Sequence, residues 1–156
     1  MGLLTFKGGI HPDDGKKLSK DRPIKPLLPG EEMIFPLSQH IGAPASPIVN
    51  KGDRVLRGQK IAEAGGFVSA PIYSSVSGTV KTIEMRFNPT GSKVQSIVIE
   101  NDGLYEEVEY EKVKPLEELT KDEIKKKISD AGIVGMGGAG FPTHVKLSPK
   151  EPDKID

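Results

Sequence analysis

The sequence contains no cysteine, which excludes disulfide bonds, thiol catalysis and a cysteine-ligated cluster within these 156 residues. Its three histidines, His11, His40 and His144, are scattered and make no metal-ligand spacing. An excess of charge of either sign is also missing. Twenty-two basic residues balance 22 acidic ones, which argues against a nucleic-acid-binding surface or a polybasic membrane anchor, so a charged ligand must be met locally. No apolar run approaches the ~20 residues of a transmembrane helix, and the N-terminus Met1-Gly2-Leu3-Leu4-Thr5-Phe6-Lys7 lacks a run of signal-peptide length. A soluble chain is expected, suited to a reducing compartment, with any membrane role reached through partners.

With 35% hydrophobic residues, the chain can bury one sizeable core and is too short for two large ones. Four stretches differ in texture. Residues 1–30 show little periodicity and are dense in turn residues and prolines, among them Pro23, Pro26 and Pro29, so they read as an extended arm lying over the domain. Residues 31–102 hold short β-prone runs bounded by Gly, Pro, Asn or Asp. The runs fall at 33–37, 48–49, 54–56, 60–63, 67–70, 73–76, 78–84 and 96–100, the pattern of a small sandwich or barrel. Gly52, Gly58 and Gly78 are expected to supply positive φ at turns or bulges. Residues 103–118 read as a linker, and 119–156 as the start of a second unit. The fold class expected is α+β, mainly β.

The second unit opens on a clear helix signal. Thr120 is an N-cap, Glu123 its capping-box partner, and Leu119 with Ile124 a hydrophobic staple; a helix over 121–131 follows, with Gly132 at C′. Asp122 and Glu123 in the first turn and Lys125, Lys126 and Lys127 further on complement the helix dipole, and this charge run reads as a solvated face.

Next comes Gly132-Ile133-Val134-Gly135-Met136-Gly137-Gly138-Ala139-Gly140-Phe141-Pro142-Thr143-His144-Val145-Lys146. Gly135, Gly137 and Gly140 satisfy G-x-G-x-x-G, yet a dinucleotide fold needs a strand before it, a full helix after it and an acid ~20 residues on. A helix precedes and a short tail follows, so the ordinary Rossmann reading fails. A glycine-rich C-cap and linker is one alternative. Five glycines followed by Pro142 at an N1-like position favour another, a cradle in which successive N–H groups and a helix N-terminus hold a phosphate, with Lys146 adding a point charge.

Other polar residues read as structural. His40, beside Gln39 and a tight turn, is expected to be a hydrogen-bonded structural histidine rather than a catalytic one, and His11 and His144 take the same reading. Asp13 with Asp14 reads as a turn rather than a carboxylate pair.

Lys51-Gly52-Asp53-Arg54-Val55, Gly58-Gln59-Lys60-Ile61-Ala62-Glu63, Ser69-Ala70-Pro71 and Ser77-Gly78-Thr79-Val80 resemble the biotinyl/lipoyl-type barrel-sandwich hybrid. That family carries its cofactor on a lysine at a hairpin tip. Here no lysine stands between Lys60 and Lys81, and the tip is Gly65-Gly66-Phe67-Val68, which excludes a swinging-arm carrier and leaves a scaffold or docking surface.

Gly137-Gly138-Ala139-Gly140-Phe141-Pro142-Thr143, with Lys146, resembles the flavin-binding loop of the NADH-oxidising component of respiratory complex I. Met136 departs from that loop, which carries an Arg there. Adding Phe6-Lys7-Gly8-Gly9-Ile10-His11-Pro12, Pro36-Leu37-Ser38-Gln39-His40-Ile41-Gly42-Ala43-Pro44 and Gly52-Asp53-Arg54-Val55-Leu56-Arg57-Gly58-Gln59-Lys60-Ile61-Ala62, the whole chain resembles the RnfC components of the Rnf electron-transport complexes. The resemblance implies the N-terminal part of a peripheral protein on the cytoplasmic side of the membrane. That protein exchanges electrons between NADH, FMN and 4Fe-4S clusters, with the other members of the complex and ferredoxin as partners. Gly135, Gly137, Gly138, Ala139, Gly140 and Lys146 would line the FMN, and no residue is expected to be catalytic. The acidic FMN- and NADH-contacting loops and the cluster cysteines belong downstream, so these residues alone are expected to bind flavin weakly or not at all and to catalyse nothing. Two rival readings are a non-enzymatic docking module and the homologous barrel-bearing component of the sodium-pumping NADH:quinone reductase.

Overall fold

The computed structural model describes residues 12–110, 112 and 114–151. His11, the Phe6 to Ile10 part of the family segment and the tail from Pro152 lie outside them. Seven strands build two antiparallel sheets: β1 (Glu32–Pro36), β2 (Ser46–Pro47), β3 (Arg54–Val55), β4 (Lys60–Glu63), β5 (Ile72–Tyr73), β6 (Gly78–Phe87) and β7 (Lys93–Asn101). One sheet runs β1-β7-β6-β3 and the other β2-β4-β5. Their facing sides enclose a core that includes Phe35, Val55, Ile61, Ile72, Ile97 and Ile99. The two facing sheets bear out the small sandwich or barrel read from the short, turn-bounded runs and match the barrel-sandwich hybrid that the resemblance implied.

The long hairpin is the spine. β6 and β7 pair from Gly78↔Asn101 to Phe87↔Lys93, with an irregularity between Val80 and Thr82 that accommodates Lys81. Ser96, Ile97, Val98 and Ile99 are all buried, so β7 is covered on both faces where β1 and β6 flank it. Beyond the barrel the hairpin projects into solvent, closed by Asn88, whose side-chain oxygen accepts from the Thr90 and Ser92 N–H groups at 3.1 and 3.0 Å.

Several local expectations are corrected. Gly52 and Gly58 have φ of 94° and 80°, as a turn requires, but Gly78 lies in β6 with no positive φ. Its lack of a side chain serves close approach instead, since a Cβ there would lie 2.0 Å from the Glu100 carbonyl oxygen. Residues 67–70 form no strand, because their polar groups have other partners: Val68 C=O accepts from Ala43 N–H at 3.0 Å, Ser69 Oγ from Gly65 N–H at 2.9 Å, and Ala70 N–H donates to His40. The described part of the arm, residues 12–28, does not lie over the barrel; Leu18, Ile24 and Leu27 are at least 86% exposed, and residues 16–18 form a single 3-10 turn. Asp13 and Asp14 do make turns, accepting from Gly15 and Lys16 N–H groups.

The span 103–118 is not free throughout. Arg57 N–H donates to Glu106 C=O at 2.8 Å and Val108 N–H to Arg57 C=O at 3.0 Å, so residues 106–108 lie along the barrel edge. Arg57 pairs with Glu107 at 3.0 Å and Arg54 with Asp102 and Glu106. The Arg57 guanidinium holds the Glu107 carboxyl below the ordinary carboxylate range.

Candidate functional site

Helix α1 (Lys121–Asp130) begins at the capping box read from the sequence: Thr120 Oγ1 accepts from Glu123 N–H at 3.2 Å, and Glu123 Oε2 accepts from Thr120 N–H at 2.8 Å. Donation from the Thr120 N–H, and from its hydroxyl at 2.8 Å, to the Glu123 carboxylate lowers the Glu123 pKa from its usual value. Gly132 closes the helix at φ 66°, packed so closely on the barrel that a Cβ would come within 2.5 Å of the Pro71 carbonyl oxygen. Tyr73 donates its hydroxyl to the Asp130 carbonyl at the same corner.

The glycine loop then folds back on itself. Gly135 N–H donates to Phe141 C=O at 2.9 Å and Thr143 N–H to Ile133 C=O at 3.0 Å, giving a bridge between Val134 and Pro142. α2 (Thr143–Lys146) follows, a single turn with Pro142 as its N-cap rather than its first residue. Four residues make too short a helix for a dipole-driven anion site, so any cradle rests on the loop's own amides. Among the described residues, none of the N–H groups of residues 136–140 donates a hydrogen bond. A Cβ on Gly137 or Gly138 would meet nothing within 4 Å, so the loop is open on the side those glycines face.

The loop borders a groove of about 860 Å³ between itself, the β1 end of the barrel and the tip of the β6–β7 hairpin. Gly135, Gly138, Ala139 and Gly140 line it; Gly137 and Lys146 do not. Lys146 is exposed on α2, so the point charge expected of it is not gathered at the groove. Among the described residues no carboxylate or ammonium lines the groove, which leaves the backbone and the Ser38, Gln39, Asn88 and Thr90 side-chain dipoles as the local field. These features fit the phosphate end of a mononucleotide: free amide donors, glycines that permit close approach, and no anion to repel it.

Sequence reasoning passed over the opposite wall. Gln39, His40 and Ile41 line the groove facing the loop, and His144 Nε2 lies 3.2 Å from the Phe67 carbonyl oxygen with the two rings edge to face. His40 is buried and bonded through both ring nitrogens, which bears out a structural histidine. That it would stand beside a loop a hundred residues further along had no local signal.

Comparison with known proteins decides the family at this point. The family model described as the RnfC barrel sandwich hybrid domain matches residues 4–104. The chain belongs to the RnfC family. A second family model, the Nuo51 FMN-binding domain, matches residues 128–156, which include the glycine loop. Among relatives, the RnfC protein of the Na(+)-translocating ferredoxin:NAD(+) oxidoreductase complex of Acetobacterium woodii is 48% identical over 155 residues, covering 97% of this chain and 34% of that protein. Its counterpart in the proton-translocating ferredoxin:NAD(+) oxidoreductase complex of Clostridium ljungdahlii is also 48% identical over 155 residues, covering 99% and 34%. The counterpart in an ion-translocating oxidoreductase complex of Haemophilus influenzae is 35% identical over 151 residues, covering 96% and 23%. The chain thus spans about a third of the length of the first two RnfC relatives.

Proposed function

We propose that this RnfC chain supplies the flavin-phosphate loop and its barrel support to an ion-translocating ferredoxin:NAD oxidoreductase complex that passes electrons between NADH, FMN and 4Fe-4S clusters. The observation that carries the reading is the row of unpartnered N–H groups at residues 136–140, in a loop held against a barrel wall and matched by an FMN-binding family model. Bound there, FMN would exchange a hydride with NAD(H) and single electrons with the clusters. The chain's part is binding and orientation. The amides of Met136, Gly137, Gly138, Ala139 and Gly140 would receive the phosphate oxygens, Gly135 holds the turn by its bond to Phe141, and Lys146, exposed on α2, would add charge.

Clusters, NADH contacts and ferredoxin docking are assigned to the rest of the full-length protein, the other members of the complex being its partners. No helix of the described residues is long and apolar enough to cross a membrane, and the peripheral place on the cytoplasmic side rests on the family resemblance. A docking module is the second reading, favoured by the lack of any charged side chain in the groove. The homologous component of the sodium-pumping quinone reductase is the third, and the ferredoxin:NAD names of the 48% identical relatives weigh against it.

Titration of FMN and of riboflavin into the chain, followed by flavin fluorescence, separates the first two. The flavin reading expects weak saturable binding of FMN, none of riboflavin, which has no phosphate, and loss of FMN binding in Gly138→Val with Lys146→Ala. Saturable binding of FMN and riboflavin with equal affinity, or of FMN by wild type and variant alike, would favour the docking module.

A further inference from the structure

The barrel's Gln39-His40-Ile41 turn and the glycine loop are fitted to each other through backbone atoms. Ile41 N–H donates to Ala139 C=O at 3.0 Å. Gly140, at φ 64°, packs so that a Cβ would stand 2.8 Å from the Gln39 carbonyl oxygen and 3.0 Å from His40 Cα. A side chain at Gly140 or a shift of the turn would therefore push the loop off its seat.

The turn is fixed in its own right by the His40 ring. Nδ1 lies 3.1 Å from the Ile41 carbonyl oxygen, which can only accept, so Nδ1 carries the hydrogen. In the neutral ring Nε2 is then an acceptor, and it takes the Ala70 N–H at 3.1 Å. The Ala70 carbonyl at 3.2 Å from the same nitrogen is a neighbour rather than a second partner, because a hydrogen on Nε2 would leave the Ala70 N–H without an acceptor. His40 is 8% exposed, so this linkage between residues 40–41 and 70 is made out of water, where an unmade bond is costly.

We propose that His40 is a positioning residue for the anion loop: its ring locks the Gln39-His40-Ile41 turn in the one shape onto which Ala139 and Gly140 fit, which makes the barrel a wall of the cofactor site. The proposal rests on the reading of the loop as a phosphate cradle, and it gives the barrel a task in that site. The ring touches no ligand; with both nitrogens engaged, it has none left to offer.

The test uses amide NMR spectra of the chain, where the Gly135, Gly138 and Gly140 cross-peaks report loop shape, together with FMN titration and thermal melting. His40→Ala removes both bonds, His40→Gln restores an acceptor near the Nε2 position, and Ile61→Val, deep in the core, is the control for a general loss of stability. The expected result is that the glycine peaks move in His40→Ala, return towards wild type in His40→Gln and stay put in Ile61→Val. FMN affinity is expected to fall on the order of tenfold with alanine, the effect typical of residues that orient a binding group, and to recover with glutamine. His40→Asn, which keeps a donor for Ile41 and loses the acceptor for Ala70, is expected to behave like His40→Ala and carries the same test if alanine prevents folding. Unmoved glycine peaks in both variants, or equal movement in Ile61→Val, would overturn the proposal. If wild type binds FMN and riboflavin alike while the peaks respond as expected, the positioning role stands and the phosphate assignment falls.

Discussion

The barrel and the glycine-loop unit are built on opposite terms. Ile61, Val76, Val80, Ile97 and Ile99 are at most 1% exposed, and β6 and β7, which carry Val80, Ile97 and Ile99, are paired from Gly78↔Asn101 to Phe87↔Lys93. By contrast, neither α1 nor α2 has a buried residue, Pro142 is the one buried residue among 131–142, and this unit meets the barrel through the Ile41–Ala139 backbone bond, close glycine contacts and the Tyr73–Asp130 and Phe67–His144 pairs. The barrel makes its own core; the loop unit takes its shape from local caps and from the barrel's surface. Such a loop can stay open, with its amides free for a ligand, because its order comes from the wall behind it.

The largest expected effect breaks the barrel. Ile97→Ala deletes a fully buried side chain between the sheets, and an unfolding midpoint in urea should report a loss of about 2–5 kcal/mol. The loop should lose its shape in the same transition, since its seat disappears.

Gly140→Val separates the two regions. A Cβ at φ 64° against the Gln39 carbonyl is strained both by conformation and by contact, at about 1–3 kcal/mol for the local conformation. FMN binding should be lost while the barrel's urea midpoint stays near wild type. A barrel midpoint that drops as far as in Ile97→Ala would mean that the two regions are one cooperative unit.

Thr120→Ala is smaller. It removes the capping oxygen that accepts from Glu123 N–H, and α1 should fray by about 1 kcal/mol. Far-UV circular dichroism should show less helix at moderate temperature, with an unchanged barrel transition.

The smallest effect concerns residues 106–108, which lie along the barrel edge. The Glu107 carboxyl is held low by Arg57, so its ionised form is favoured in the folded state. The stability it lends is present above the ordinary carboxylate pKa and is lost as pH falls through the lower folded value. Acid titration should release residues 106–108 before the barrel unfolds, seen as loss of the Val108 amide's protection, and Glu107→Gln should show that release already at neutral pH.

Legibility in the sequence followed the range of the interactions. The capping box of Thr120 and Glu123, the C′ glycine at 132 and the turn glycines at 52 and 58 were readable because each is settled within four residues of chain. Gly78 was misread because its requirement comes from Glu100, two strands' length away in sequence. Residues 67–70 have strand propensity but no ladder, since His40, Gly65 and Ala43 claim their hydrogen bonds. The proposed reading of the glycine loop as a phosphate cradle came from composition alone. The loop's seat was not legible: the His40, Ile41 and Gly140 contacts join residues about a hundred apart, and no local pattern announces them.

Native-state amide hydrogen exchange across rising urea tests the contrast between the two regions most directly. The account predicts that the Ile97 and Ile99 amides of β7 exchange through global unfolding, with a strong urea dependence, while Gly135 and Thr143 exchange through a low-energy local opening that urea scarcely changes. One shared opening energy for β7 and the loop would contradict it, and would make the loop part of the barrel's own core rather than a cradle that the barrel supports.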